Sequence, residues 1–292
     1  MSLMGLPTEL LLMIQHEIRD DLLAHVCLMK LNTRTRALYN AFGTDFWKML
    51  CRRNGLGTLA GDSVGAGLYQ TIAVECAEHA WVCEHPSCGT ARLLENAQSI
   101  SNARLDDPTC SPTRTLRDED PYILTPNGIF RCMAFRGGEF GAPCHTYVTA
   151  EAYDGQDMQD TDALEAHPIV MRTFATFPPC ANMRFLTFDN VPTASNNDGV
   201  TVFDVMKSAK SIMSDIPTTE NIFTWLRRNT CGDTSKVFPQ AWSIVDMFES
   251  VTSIVGWFRV ARWIGFAYEG SNKFAFRFEP RRLPDDPSEI SQ

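Results

Sequence analysis

Several signatures of common enzyme classes are missing from this 292-residue sequence. It contains no G-x-x-x-x-G-K-[ST] phosphate loop, no HExxH pair and no G-x-G-x-x-G dinucleotide fingerprint. The acidic loop that holds Asp154, Asp157, Asp160 and Asp162 lacks the glycine and the terminal glutamate of a calcium-binding EF-hand. The sequence therefore gives no motif for nucleotide, metalloprotease or calcium chemistry, and we expect no enzymatic activity.

The chain also has little positive charge. Its 26 Lys and Arg residues face 35 Asp and Glu residues, for a net charge of -9, and no long basic run occurs. This balance argues against a broad surface for nucleic acid or anionic membrane. The most apolar stretch, Ser253 to Tyr268, is interrupted by Arg259 and Arg262, so we predict no membrane span.

Features of secreted proteins are missing as well. Residues 1–7 lack the charged and long apolar regions of a secretory signal, and no Asn-x-Ser/Thr acceptor occurs. We therefore expect a location in the cytoplasm, the nucleus or both. The ten cysteines are then expected to be mostly reduced. The alternative, a disulfide framework, has no other support in the sequence.

What the sequence does contain is typical of a folded globular protein, with 44% hydrophobic and 21% charged residues. Apolar residues recur at helical spacing in residues 1–57, which predicts a module of three short helices. Asp21 and Thr33 are the predicted caps of the second and third helix, and Gly43 is expected to break the run. The glycine-rich stretch from Gly55 to Gly67 is interpreted as a linker.

Residues 68–283 mix helical and strand patterns, so the fold class is α+β, with antiparallel strands in the second part. Helices are predicted from about Leu68 to Ala80, from Ala91 to Ala103 and up to Ser214 after Val200. A strand is predicted over Met183 to Phe188. The strongest pattern is a β-hairpin, formed by residues 263–268 and 273–278 around a Glu-Gly-Ser-Asn turn. The Asp/Pro/Ser-rich residues 284–292 are expected to be a disordered tail.

The opening residues resemble an F-box. The resemblance rests on Leu6-Pro7-Thr8-Glu9-Leu10-Leu11, on Ile14 one turn later and on the closing Phe46-Trp47-x-x-Leu50-Cys51. In that family, a three-helix module docks on a Skp-type adaptor and thereby on a cullin-based ubiquitin ligase. The resemblance implies a non-catalytic subunit that recruits an unknown target protein through its C-terminal domain. It also implies a set of residues that carry or support adaptor docking: Leu6, Pro7, Glu9, Leu10, Leu11, Ile14, Phe46 and Trp47.

One segment departs from the F-box pattern. The family often has a Val-Cys-Arg-x-Trp-like sequence where this chain has Met29 to Arg36. This departure favours an alternative, in which an F-box-like module serves an interaction outside ubiquitination. The remainder, including His79-Ala80-Trp81-Val82-Cys83 and His167-Pro168, resembles a domain of unknown function in F-box proteins of mushroom-forming fungi. That second resemblance implies no activity.

Cysteine and histidine residues cluster between positions 76 and 88. They are Cys76, His79, Cys83, His85 and Cys88, and Cys132, Cys144 and His145 can add ligands from a distant loop. Thiolate and imidazole are ligands that zinc prefers. We therefore consider a structural zinc site, with Cys83, Cys88 and Cys144 as the preferred ligands. The paired CxxC motifs of zinc ribbons are absent, and buried cysteine as a small hydrophobe is the alternative.

Two patterns suggest a nucleophile. Gly61 to Gly65 matches the G-x-S-x-G elbow around Ser63, but no strand is predicted before it, as the elbow requires. Cys144 and His145 are adjacent, so in an extended chain they point to opposite faces, although His167 can serve as a base in space. A hydrolase is therefore the less favoured alternative.

Overall fold

This computed structural model describes most of the chain. The described residues are 6–63, 65–106, 115–116, 124–136, 145–149, 161–185, 193–214, 261–270 and 273–280. The predicted tail at 284–292 lies outside these ranges. Within them, no helix combines the length and the apolar character needed to cross a bilayer.

Four short helices open the chain, where the sequence pattern predicted three. They are α1 (Thr8–Glu17), α2 (Leu22–Lys30), α3 (Thr33–Ala41) and α4 (Gly43–Arg53). The carboxylate of Asp21 caps α2 by accepting a hydrogen bond from the Ala24 amide, as predicted. The cap of α3 is Asn32, one residue before the predicted Thr33, and Asn32 and Thr35 bond each other's amides reciprocally. Gly43 breaks the run as predicted, because its φ of 74° lies in the left-handed region.

In the second part of the chain, the described residues form four further helices. They are α5 (Leu68–Val82), α6 (Gly89–Asp106), α7 (Pro168–Arg172) and α8 (Val202–Ser214), accompanied by 3-10 turns at Gly128–Cys132 and Leu164–Ala166. The predicted helices correspond to α5, α6 and α8. On α8, Val202, Val205 and Met206 are fully buried at helical spacing, which explains why its pattern could be read from the sequence.

The strands within the described ranges form three small sheets. They are β1 (Thr125–Pro126), β2 (Met133–Arg136), β3 (His145–Thr149), β4 (Thr161–Ala163), β5 (Thr176–Phe177), β6 (Asn182–Phe185), β7 (Thr193–Ser195), β8 (Ala261–Gly270) and β9 (Lys273–Pro280). The sheet orders are β1-β5, β2-β3-β4 and β7-β6-β9-β8, all antiparallel except for the parallel β6–β9 pair. The predicted hairpin is β8–β9, and the α+β class is confirmed.

One hydrophobic core joins the opening helices to the rest of the chain. The same cluster contains Leu22 and Trp47 from the first part and Ile72, Val170 and Phe274 from the second. The division at about residue 57 stays a prediction, but the two parts do not have separate cores within the described residues.

The start of the predicted linker is a buried crossing of two backbone segments. The Gly57 amide donates to the Arg172 carbonyl at 2.8 Å, and the Phe174 amide donates to the Gly55 carbonyl at 2.9 Å. Leu56 between them has no exposed surface. The linker interpretation is therefore wrong for residues 55–57, because the glycines there allow a close approach of two backbones rather than flexibility.

We expect Gly57→Ala to destabilise the protein by about 1–3 kcal/mol through overpacking. A Cβ at this position would lie 2.7 Å from a ring carbon of Phe174 and 3.1 Å from the Thr201 methyl. Gly61 and Gly65 are matched controls in the same stretch, since a Cβ at either meets nothing within 4 Å. Urea denaturation of the three alanine variants compares them directly. Equal stability of all three would contradict the tight crossing.

Candidate metal centre and docking surface

Helix α1 carries more apolar surface than one face can bury. Residues 10–14 are Leu-Leu-Leu-Met-Ile, and a helical turn holds only about 3.6 residues, so this run surrounds the helix. Leu11 points inward and is 2% exposed. Leu10, Leu12 and Met13 remain 41%, 39% and 62% exposed. We call these three side chains the outer face of α1.

The structure divides the eight predicted docking residues into three groups. Pro7, Glu9 and Leu10 are exposed; Leu6, Ile14 and Phe46 are half-buried; and Leu11 and Trp47 are buried. Ile14 and Phe46 pack against the core from its edge. The exposed group can contact another protein as the chain stands, whereas Leu11 and Trp47 act as supports. Sequence reasoning did not single out Leu12 and Met13, although the unbroken apolar run contained the signal.

The segment that departs from the F-box pattern holds α1 in place. The Arg34 guanidinium donates to the Leu6 carbonyl at 2.8 Å and to the Thr8 hydroxyl at 2.7 Å. These bonds join the start of α3 to the start of α1. The outer face is therefore presented on a tethered helix, and Arg34 serves a structural purpose that a simple motif comparison does not reveal.

A second site lies where α5 ends. His79 is on the last turn of α5. Cys83 directly follows the helix, and its amide donates a hydrogen bond to the His79 carbonyl. The chain then turns, and Cys88 directly precedes α6. His167 reaches the same place from far along the chain, because it directly precedes α7, whose first residue is Pro168. One helix end and two helix starts thus bring four ligand-type side chains together.

The ligand atoms of these four residues all lie within 4.8 Å of one another. Cys88 Sγ is 3.4 Å from His79 Nε2, and Cys83 Sγ is 3.7 Å from His167 Nδ1. Cys88 and His167 are buried, while His79 and Cys83 are half-buried. The group can hold a metal ion with two sulfur and two nitrogen ligands.

Burial is the main electrostatic influence on this cluster. It raises the pKa of the Cys88 thiol to about 12, with a further rise from the neighbouring Cys83. It lowers the pKa of His79, although the Glu75 carboxylate opposes that change. A neutral imidazole is the form that ligates a metal. The rings of His85 and His167 lie 4.8 Å apart, which places His85 beside the cluster without making it one of the four.

The outcome for the predicted metal ligands is mixed. Cys83 and Cys88 do come together, and His79 from the wider set joins them. Cys144 lies outside the described residues. His167 was considered only as a general base, and its role here was missed because Cys83 and His167 are 84 positions apart. Cys76, the first residue of the wider set, is fully buried in the core and is not part of the group.

The serine elbow has no structural counterpart at Ser63. This residue is exposed, and the segment before it contains a turn and no strand. Its neighbour Asp62 accepts a hydrogen bond from the Leu59 amide and forms an ion pair with Arg172. The G-x-S-x-G match therefore falls at a local turn, which the ion pair between Asp62 and Arg172 connects to α7.

No family model, curated protein or solved structure matches this chain. Functional inference therefore rests on the residues of the outer face and of the Cys/His cluster.

Proposed function

We propose that this chain is a non-catalytic, substrate-recruiting subunit of a Skp–cullin–F-box ubiquitin ligase. Its outer face on α1 docks the Skp-type adaptor, and the part of the chain after α4 binds the target protein. The observation that carries the proposal is the exposure of Leu10, Leu12 and Met13 beside the buried Leu11. Such a protein acts in the cytoplasm or the nucleus, where the ligase operates.

A helix with large uncovered apolar side chains is suited to a partner's hydrophobic groove. Burying apolar area contributes roughly 25 cal/mol per Å² removed from water, so three such residues can anchor an interface. The half-buried Leu6 and Ile14 lie on either side of these residues in the sequence, and the exposed Pro7 and Glu9 form the rim of the proposed interface. Met13 is well suited to such contacts because its unbranched side chain adapts to irregular surfaces.

In this proposal the chain supplies proximity rather than chemistry. The ligase machinery transfers ubiquitin, and the bound target presents its lysine at a raised effective concentration. The ordered attachment of α1 through Arg34 supports this role, since a fixed docking helix holds the target in a narrower range of positions. The alternative is an F-box-like interaction protein outside ubiquitination, which the divergent segment Met29 to Arg36 favours.

The direct test is the affinity for a purified Skp-type adaptor. We expect Leu10→Asp and Met13→Asp each to weaken binding by roughly thirtyfold or more, since the loss of a central anchor costs about 2 kcal/mol. Leu94→Asp is the matched control, because Leu94 is 60% exposed on α6, outside the docking helix. Calorimetry or surface plasmon resonance gives the three dissociation constants.

Equal adaptor affinity for the wild type and both α1 variants would refute this docking mode. Adaptor binding without recovery of a cullin would favour the alternative outside ubiquitination. Point variants are better suited here than removal of residues 1–57, because Leu22, Trp47 and Leu56 belong to the shared core. Circular dichroism of each variant checks that its helices remain formed.

A further inference from the structure

We propose that His79, Cys83, Cys88 and His167 form a structural zinc site. This inference is independent of the docking function, because none of the four residues lies on α1. The site is of the Cys2His2 type, in which both thiols bind as thiolates. Its role is to fasten the corner between α5 and α6 to the start of α7.

The geometry suits a tetrahedral zinc ion. Zn–S bonds are about 2.3 Å and Zn–N bonds about 2.0–2.1 Å, so tetrahedral angles place sulfur and nitrogen ligands roughly 3.5–3.6 Å apart. The two sulfur–nitrogen separations here are 3.4 and 3.7 Å. The nitrogens concerned are Nε2 of His79 and Nδ1 of His167, and either nitrogen of a neutral imidazole can ligate. Small side-chain movements complete the coordination.

The ligand set favours zinc over other metals and a structural role over a catalytic one. Two sulfurs and two imidazoles are characteristic of tetrahedral zinc, whereas calcium and magnesium prefer oxygen ligands. Four protein ligands fill the tetrahedral coordination and leave no position for an activated water. The burial of Cys88 and His167, at 2% and 3% exposure, suits such a closed site.

The position of the cluster indicates what the metal stabilises. Residues 83–88 form an irregular corner between two helices, flanked by the exposed Trp81 and Val82. His167 lies 84 residues beyond Cys83, so a metal bound by both closes a long loop. A cross-link of this kind stabilises the fold because it restricts the unfolded chain. Without a metal, the corner is held by the packing of Cys88 in the hydrophobic core and by hydrogen bonds such as that from the Cys88 amide to the His85 carbonyl.

A thiol–imidazole nucleophile is the competing use of the same residues. A nucleophilic dyad needs one thiol and one base, whereas here two thiols and two imidazoles converge on one point. A tetrahedral metal site uses all four of these side chains, whereas a dyad would use only two of them. The two uses also predict opposite responses to a chelator, which makes them separable by experiment.

Zinc content of the full-length protein is the first measurement. We expect about one equivalent after purification in non-chelating buffer, and less than about a tenth of an equivalent in Cys83→Ser and Cys88→Ser. Cys27→Ser is the control, because Cys27 is an exposed free thiol on α2 and should leave the content unchanged. Zinc removal should lower the melting temperature by roughly 5–10 °C, the stabilisation that a ligand at about a hundred times its Kd gives.

A second measurement uses only the wild type and so does not depend on whether the variants fold. Cobalt added to the zinc-free protein should give the sulfur-to-metal absorption of a tetrahedral two-thiolate site. Alkylation of Cys83 should be slow with metal and at least tenfold faster after chelation. A wild type with less than about a tenth of an equivalent of zinc and no cobalt spectrum would overturn the proposal. Rapid alkylation that a chelator does not change would point to the nucleophile instead.

Discussion

Asp62→Asn is expected to lower the free energy of unfolding by about 3 kcal/mol, near the low end of the range for breaking a buried ion pair. The Asp62 carboxylate accepts two bonds from Arg172, at 2.6 and 3.2 Å. The side chains of Arg172 and Asp62 are only 10% and 15% exposed. Glu75 gives little compensation, since it is half-exposed and reaches one guanidinium nitrogen at 3.4 Å. The loss therefore leaves a buried cation without its main partner.

The same pair makes stability depend on pH. Burial alone would raise the pKa of Asp62, but the hydrogen bonds from Arg172 and the Leu59 amide and the charge of Arg172 outweigh it, so the pKa is lowered. A carboxyl group with a depressed pKa in the folded state stabilises fully above its unfolded pKa of about 3.9 and loses this contribution as pH falls through the folded value. The deficit of Asp62→Asn should therefore shrink below about pH 4.

Urea denaturation at pH 7 and at a series of acid values measures both effects. Ser63→Asn is the matched control, because Ser63 is the exposed neighbour of Asp62 and should change stability by less than about 0.5 kcal/mol. The double variant Asp62→Asn/Arg172→Met should recover much of the loss, since it removes the unpaired charge. An Asp62→Asn protein as stable as the wild type at pH 7 would show that the pair contributes nothing.

The sequence predicted well those elements that local rules determine. Val202, Val205 and Met206 repeat at helical spacing, and the β8–β9 hairpin alternates around a Gly-containing turn, so a short window contained the whole signal. The cap of α3, which the sequence placed one residue too late, shows where such local rules no longer suffice. Asn32 and Thr33 are both good caps, and only the bond from the Thr35 amide to Asn32 decides between them.

Elements that depend on long-range contacts could not be read in the same way. Gly55 and Gly57 have the composition of a linker, yet their close approach to residues 172–174 requires a partner more than a hundred positions away. His167 is absent from the predicted zinc ligands for the same reason. Local sequence places His79, Cys83 and Cys88 within one short segment around the end of α5, but only the packing of α7 against α5 brings His167 to them.

The predicted docking residues are a related case. A sequence motif does not distinguish residues that contact a partner from residues that only support the fold. Residues 10–14 are all apolar, and the direction in which α1 packs decides that Leu11 is inside and Met13 outside. Sequence periodicity gives no direction within an unbroken apolar run that extends over more than one helical turn. The structure therefore divides the F-box-like residues into exposed ones, which are open to contact with another protein, and buried ones, which are covered by the fold.

Trp47→Ala should cost about 3–5 kcal/mol of stability, as the removal of a buried aromatic side chain does. Trp47 is 2% exposed, and its ring lies 5.6 Å from that of Tyr39 and 5.3 Å from that of Phe46. Loss of the indole leaves a cavity that these rings cannot fill without moving. Thermal and urea denaturation measure the effect, and Trp47→Phe should lose less because it keeps an aromatic ring in the cluster.

The matched comparison for Trp47 is Met13→Ala, which removes a side chain that is 62% exposed. Met13→Ala should leave stability within about 0.5 kcal/mol of the wild type while weakening adaptor binding. Trp47→Ala, measured well below its melting temperature, should bind the adaptor as the wild type does, because its ring does not reach the surface. A stable Trp47→Ala protein that fails to bind would place the indole in the interface, and the outer face of α1 would then not be the whole docking surface.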